Sequence, residues 1–220
     1  MISLSKLIKK YGEPSAIIDH WDENSKRFAI WGFEEVFIRH VHNTPNMLKE
    51  WQSTIDRWKK KTSHPEICAV GGFSYDLRTV IFPHIKFKNV NENMPIIWFG
   101  KPKKVESFDI MKDKSINEMD VRINIKTDIP PVQRFEDDLI TIKHHEEIGD
   151  IYQINYTHPK FYDVNANPFS IYLSLRNIAK PLCGVYINTG DFQFLSASPE
   201  RFFNTYNGKI FTYPIKGTRK

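Results

Sequence analysis

The last third of the chain constrains the fold most strongly, because short apolar runs alternate there with turn signals. Asn207-Gly208 separates two of these runs, and this dipeptide between apolar segments favours a β-hairpin. Thr189-Gly190-Asp191 supplies a second turn signal. The pattern predicts an antiparallel meander with strands at residues 184–188, 192–197, 201–206 and 209–215. A chain built this way contains at least one sheet formed by local pairing.

Helical periodicity is equally clear elsewhere in the chain. Five apolar residues fall on one helical face at 3.6-residue spacing: Met47, Leu48, Trp51, Ile55 and Trp58. A helix from residue 135 should end at Gly149, and Asn167-Pro168 should cap a helix that runs to about residue 179. Further strands are predicted at residues 28–38, 66–73 and 94–99. The expected fold class is α+β, with largely antiparallel β-sheets packed with α-helices.

A poorly patterned, charged stretch from Lys101 to Arg134, broken by Pro130-Pro131, lies between the two patterned halves. It predicts an N-terminal α+β subdomain at residues 1–118, a linker at 119–133 and a second domain that begins at 134 and continues to 220.

The formal charge of +5 comes from basic residues scattered along the chain. The short runs Lys59–Lys61 and Lys101–Lys104 lack interleaved aromatic residues, so we interpret them as solvated surface and expect no nucleic-acid partner. No apolar stretch is long enough for a membrane span, and Cys68 and Cys183 are expected to be reduced thiols. The expectation is a cytoplasmic protein without a membrane partner. The histidine spacing indicates no metal site.

Residues 150–161 alternate in character and are predicted to form a strand. Tyr152, Ile154 and Tyr156 would share an apolar face directed to a core, whereas Gln153 and its polar neighbours would face either solvent or a polar small molecule.

Two further segments could carry chemistry. Ser198-Pro199-Glu200-Arg201 interrupts the meander with a kink and two opposite charges. Lys216 ends the last predicted strand and is followed by a glycine. Lys216 could be an ordinary surface charge, or a nucleophile if burial lowers the pKa of its amine.

Three segments together resemble the chorismate-binding enzyme family: Gly149-Asp-Ile-Tyr-Gln-Ile-Asn155, Ser196-Ala-Ser-Pro-Glu-Arg-Phe202 and Pro214-Ile-Lys-Gly-Thr-Arg219. They occur in the family's order and at about its spacing. A weaker resemblance is carried by Gly71-Gly-Phe-Ser-Tyr-Asp-Leu77. The resemblance implies part of an anthranilate/aminodeoxychorismate synthase-type fold with chorismate as the substrate.

The resemblance also assigns roles to five residues. Family members that add water to chorismate carry a lysine base where this chain has Gln153, and since a glutamine cannot remove a proton at neutral pH, ammonia addition is implied. Glu200 would be the acid that protonates the departing ring hydroxyl. Lys216 would be the nucleophile typical of members that form 4-amino-4-deoxychorismate, an intermediate of folate biosynthesis. Gly217 and Thr218 would contact the substrate.

The same resemblance implies a glutamine amidotransferase subunit that supplies ammonia, and Mg²⁺ held by ligands in the part of the family domain beyond residue 220. Without those ligands, this chain alone is expected to have no synthase activity. Two alternatives remain open: anthranilate synthesis, and a non-catalytic binding module.

Overall fold

The computed structural model describes residues 2–19, 26–42, 46–62, 64, 66–88, 90–109, 123–125 and 132–212. The chain divides into two compact units. The first comprises Met1–Asn117 together with Tyr172–Lys220, and the second comprises Glu118–Ile171. The domain limits expected from the sequence stay a prediction.

The first unit is built on a six-stranded antiparallel sheet with strand order β3-β4-β2-β1-β7-β8. Its strands are β1 (Ala16–Asp19), β2 (Arg27–Arg39), β3 (Val70–Phe73), β4 (Ile97–Phe108), β7 (Cys183–Asn188) and β8 (Gln193–Ser198). Its helices are α1 (Leu4–Tyr11), α2 (Met47–Lys61), a 3-10 helix (Tyr75–Leu77) and α3 (Arg78–Ile81). A separate hairpin pairs β9 (Asn204–Tyr206) with β10 (Lys209–Phe211). The predicted α+β class with antiparallel sheets is confirmed.

Helix α2 lies where its apolar spacing predicts. Met47, Ile55 and Trp58 are buried in one core cluster with Phe37 of β2 and Ile97 of β4, so the apolar face of the helix packs on the sheet. Leu48 is the exception on this face and stays partly exposed.

A second core cluster includes Trp98, which directly follows Ile97 of the first cluster on β4, so the two side chains point to opposite faces of the sheet. Its buried members are Ala16, Phe28, Ile30, Ile67, Val70, Trp98 and Ile187. These residues come from five strands and one loop that are distant in sequence. The sheet is therefore held together by long-range burial as well as by its local turns.

The expectation that Lys101–Lys104 is solvated surface at the start of an unstructured excursion is wrong in part. These residues belong to β4, which pairs with β2 along most of its length and passes a bulge between Phe33 and Glu35. Lys101 is buried, and its ammonium group forms a 2.6 Å ion pair with Glu34. The sequence did not reveal this strand because the partners of its lysines come from β2. Considered without β2, these lysines look solvated.

The second unit contains helix α4 (Val132–Glu147) and a two-stranded ribbon of β5 (Ile123–Ile125) with β6 (Tyr162–Val164). The predicted strand at residues 150–161 is wrong, since residues 151–161 form no regular structure. Tyr152 is 98% exposed instead of facing a core. Gly149 does follow the helix, with φ of +81°, and its N–H donates to the carbonyl of Glu146.

Helix α5 (Pro168–Ala179) begins where the sequence predicts. The Asn167 side chain accepts a 2.7 Å hydrogen bond from the N–H of Phe169, which is the bond an N-cap residue makes. Cys68 and Cys183 are both free thiols. In the described part of the chain, no helix combines the length and apolar character needed to cross a membrane.

Candidate active site

The segment Ser198-Pro199-Glu200 forms a compact turn directly after β8. The Ser198 hydroxyl donates a 2.9 Å hydrogen bond to the carbonyl of Glu200 and accepts a longer one, 3.5 Å, from its backbone N–H. Proline has no N–H to offer a further ladder bond, so the strand ends here. Glu200 is partly buried. The turn therefore holds the Glu200 backbone at a defined position at one end of the sheet.

Three neighbouring strands meet in register next to this turn. Asp19 at the end of β1 lies opposite Gly184 of β7, and Gly184 lies opposite Ala197 of β8. The next pair along the ladder joins Cys183 to Ser198. Glu200 thus follows the end of the sheet at which β1 terminates and β7 begins.

A buried group of charged side chains lies at this end of the sheet. Asp19 is 0% exposed, and its carboxylate accepts a hydrogen bond from Nε of Arg176, which is 1% exposed. The Nε of Arg27 lies 3.5 Å from the other carboxylate oxygen of Asp19. Because ions are costly to bury without a counter-charge, this carboxylate and the two guanidinium groups depend on one another.

Gly184 allows the strands to approach this charged group closely. A Cβ atom at position 184 would lie 2.9 Å from the Tyr172 hydroxyl oxygen and 3.1 Å from Cβ of Asp19, so a larger residue would force one of them to move. Burial raises the pKa of Tyr172, and the negative charge of Asp19 raises it further, which keeps the phenol neutral. Packing at this position is therefore tight around a polar centre.

The sequence analysis did not identify this charged group. The signal it could have used is the position of Arg176 in α5, three residues after Leu173 and four after Tyr172. That spacing places the arginine on the apolar face of the helix, where a charge calls for a buried partner. Nothing in the sequence pairs it with Asp19, which is 157 residues away.

Gln153 lies in the irregular segment of the second unit, and its side chain is exposed. Glu200 belongs to the first unit, so the structure describes these two predicted site residues in separate bodies. Lys216, Gly217 and Thr218 lie outside the described residues. The five-residue site expected from the sequence stays a prediction.

The described residues also bear on the expected metal. Within the described ranges, no group of three or more His, Cys, Asp or Glu side chains gathers closely enough to hold a metal ion. The described residues therefore form no Mg²⁺ site, and we derive no chemical step through the metal.

Comparison with known proteins defines the class of this chain. The family model described as "chorismate binding enzyme" matches residues 14–220. The match covers nearly the whole chain, so the chain belongs to the chorismate-binding enzyme family. Its antiparallel α+β fold and its ordered motifs at Gly149–Asn155 and Ser196–Phe202 agree with this membership.

Relatives with different names match the chain. It is 30% identical over 214 residues to anthranilate synthase component 1 of Acetivibrio thermocellus, covering 87% of this chain and 40% of that protein. It is 32% identical over 78 residues to aminodeoxychorismate synthase component 1 of Bacillus subtilis, covering 36% of this chain and 17% of that protein. Anthranilate synthase component 1 of Thermus thermophilus is 25% identical over 181 residues. The chain thus spans at most about 40% of the length of these relatives.

Proposed function

We propose that the protein carrying this chain adds ammonia to chorismate and forms 4-amino-4-deoxychorismate. Membership of the family supports chorismate as the substrate. The observation that carries the choice of product is Lys216 in the segment Pro214-Ile-Lys-Gly-Thr218, because anthranilate-forming members usually have an alanine at that position. Gln153 supports ammonia over water as the nucleophile, since an amide cannot deprotonate water.

In the proposed reaction, the Lys216 amine attacks ring carbon C2 while the C4 hydroxyl departs. Glu200 gives that hydroxyl its proton, so that it leaves as water. Ammonia then forms a bond to C4 as the bond between C2 and the lysine nitrogen breaks, which regenerates the amine. Dividing one difficult displacement into two steps in this way is the advantage of covalent catalysis. Gln153, Gly217 and Thr218 would contact the substrate.

The position of Glu200 is compatible with its proposed role. A general acid has to be held close to the leaving group that it protonates, and Glu200 is partly buried in the turn after β8. The turn bonded through Ser198 limits how far the Glu200 backbone can move.

Anthranilate synthesis is the second candidate. It is favoured by the extent of the match to the A. thermocellus anthranilate synthase, which covers 87% of this chain, against 36% for the B. subtilis aminodeoxychorismate synthase. Both candidates use chorismate and ammonia, and both relatives are named as component 1. We therefore extend the proposal to a second component, a glutamine amidotransferase that supplies ammonia. A cytoplasmic location and Mg²⁺ bound outside this chain are part of the same proposal.

The test compares Lys216→Ala with the unchanged enzyme. It uses the complete protein, or both polypeptides if the rest of the domain is a separate chain, with chorismate, an ammonium salt and Mg²⁺. We expect the unchanged enzyme to form 4-amino-4-deoxychorismate, detected by chromatography, and Lys216→Ala to lose this activity. Lys209→Ala, an exposed lysine on β10, is the matched control and should keep it. If anthranilate forms, and forms equally well with Lys216→Ala, the second candidate replaces the first.

A further inference from the structure

The short segment that carries Glu200 is hydrogen-bonded by side-chain hydroxyl groups on both sides of this residue. On one side, the Ser198 hydroxyl donates a 2.9 Å hydrogen bond to the carbonyl of Glu200 itself. On the other side, the Thr212 hydroxyl donates a 2.9 Å hydrogen bond to the carbonyl of Phe202. Because both bonds go to the main chain, they restrain the backbone from which the Glu200 side chain extends.

The bond from Thr212 depends on the hairpin of β9 and β10. In the register of this hairpin, Phe211 of β10 lies opposite Asn204 of β9. The turn residues Asn207-Gly208 both have positive φ, +49° and +73°, as a tight two-residue hairpin turn requires. The chain that enters the hairpin and the chain that leaves it therefore run side by side, which brings Thr212 within bonding distance of Phe202.

This bond joins the two segments to which the proposed function gives chemistry. Glu200 comes two residues before Phe202 in the sequence. Lys216 comes four residues after Thr212. Since the reach of a chain is fixed by its number of residues, only a short length of backbone separates each functional group from the bonded pair.

The proposed reaction requires both functional groups to be in place at once. The Lys216 amine attacks C2 while Glu200 protonates the hydroxyl that leaves from C4, so the two groups act on one ring in the same step. In such an arrangement, a misplacement of about 1 Å can cost about 100-fold in rate. Restraints on the backbone between the two groups should therefore affect the rate of the chemical step more than the affinity for chorismate.

We propose that Ser198 and Thr212 are positioning residues, whose hydroxyl groups hold Glu200 in place relative to Lys216. This inference rests on the proposed function. Ser198 is the last residue of β8 and lies opposite Cys183 of β7, so its bond ties Glu200 to the main sheet. Thr212 ties the chain after Glu200 to the hairpin. Both residues act through the placement of Glu200 and not through contact with the substrate.

The first test removes each hydroxyl group from the complete protein, under the assay conditions used for Lys216→Ala. We expect Ser198→Ala and Thr212→Val each to lower kcat by about tenfold or more and to change KM by less than about threefold. Ser198→Thr and Thr212→Ser keep a hydroxyl group at each position and should restore most of the lost activity. Rescue by these variants separates the hydrogen bonds from side-chain packing.

Two matched controls make the same chemical changes nearby. Ser196→Ala replaces an exposed serine two residues before Ser198 on β8, and Thr205→Val replaces an exposed threonine on β9. Both should keep kcat within about twofold of the unchanged enzyme. All variants should melt within about 3 °C of the unchanged protein, because a single hydrogen bond of this kind contributes little to stability.

Hydrogen exchange tests the restraint without any reaction. In the complete protein, a peptide that covers residues 199–203 should exchange its amide hydrogens faster in Ser198→Ala and Thr212→Val than in the unchanged protein. The two control variants should leave this exchange as it is. Mass spectrometry of peptides after timed exchange measures the difference.

Three results would overturn the inference. The first is a kcat for Ser198→Ala and Thr212→Val equal to that of the controls, and the second is unchanged exchange of the 199–203 peptide. The third is a loss of activity that follows a large fall in melting temperature and that the hydroxyl-keeping variants do not reverse.

The proposed function is decided separately, by the product that the unchanged enzyme forms. Anthranilate in place of 4-amino-4-deoxychorismate would overturn the proposed product, while faster exchange and lower kcat in the two hydroxyl-removing variants would still support the restraint on Glu200. An unchanged enzyme that does not convert chorismate at all would overturn both, because the positioning role has meaning only for that chemistry.

Discussion

Single charged residues at the end of the sheet connect elements that are distant in the sequence. Asp19 closes a short apolar strand, and its carboxylate is a counter-charge for both Arg27 and Arg176. Its ion pair with Arg176 attaches α5 to β1. Asp19 also lies opposite Gly184 of β7, which pairs with β8, the strand that precedes Glu200. A change at Asp19 should therefore affect the stability of the whole first unit.

We predict that Asp19→Ala lowers the free energy of unfolding by about 3–5 kcal/mol, because it leaves two buried guanidinium groups without this carboxylate. Urea unfolding followed by tryptophan fluorescence measures the change. Asp191→Ala, in the exposed turn between β7 and β8, is the control and should change stability by less than about 0.5 kcal/mol. A loss below about 1 kcal/mol for Asp19→Ala would contradict the role given to this carboxylate.

Among the elements, α2 is attached to the sheet by a polar contact as well as by its apolar face. Glu35 of β2 accepts a 3.1 Å hydrogen bond from the indole N–H of Trp58 and forms a 2.7 Å ion pair with Arg57. The hydrogen bond from Arg57, followed by that from Trp58, lowers the pKa of Glu35 to about 2. Both bonds stabilise the ionised carboxylate.

This lowered pKa makes the contact dependent on pH. Since the pKa of Glu35 is lower in the folded chain than its ordinary value of 4.5, its contribution is present above that value and is lost as the pH falls towards about 2. We predict that unchanged protein is more stable than Glu35→Gln near neutral pH, and that the difference shrinks as the pH is lowered through this range. Thermal unfolding at a series of pH values measures it.

Arg57→Gln provides the check on the cause. Arg57→Gln removes the main hydrogen-bond donor to Glu35. The difference in unfolding free energy between Arg57→Gln and the double variant Arg57→Gln/Glu35→Gln should therefore depend less on pH than the difference between the unchanged protein and Glu35→Gln. A difference between unchanged protein and Glu35→Gln that stays constant from neutral to acidic pH would show that the ionised carboxylate is not what attaches the helix.

At the scale of the whole molecule, the chain corresponds to less than half the length of its relatives. It matches the family model from residue 14 to residue 220 but spans only about 40% of the A. thermocellus relative. Chorismate is a dianion, and within the described residues no acidic cluster forms that could hold a metal ion against its carboxylates. Under the proposed function, turnover of chorismate is expected to need residues beyond those that the structure describes.

We predict that the purified 220-residue chain alone shows no turnover of chorismate with ammonium and Mg²⁺. Product formation, followed by chromatography against the complete protein at equal concentration, checks this. Measurable turnover by the chain alone, above a sample heated to inactivate it, would contradict the prediction and would require all catalytic groups to lie within these residues.

Local sequence signals were reliable where the structure they predict is itself local. The helix α2 follows from apolar spacing, the Asn167 cap from one side chain and the next residue, and the β9–β10 hairpin from Asn207-Gly208. The predicted strand at residues 150–161 failed because alternation does not provide a partner. No described strand pairs with this segment, and Tyr156 instead packs beside Phe135 of α4 and donates a hydrogen bond to Asp138.

The sequence by itself determined the fold class, the helices α2, α4 and α5, the hairpin turns, and the family motifs around Gln153, Glu200 and Lys216, because each depends on neighbouring residues. Tertiary structure alone decided which charges are buried together. Asp19 and Arg176 meet only after β1, β7 and α5 have assembled, and Lys101 is buried only because β2 places Glu34 beside it. Such pairings depend on the cost of burying charge, which acts between residues distant in the chain and leaves no periodic signal in it.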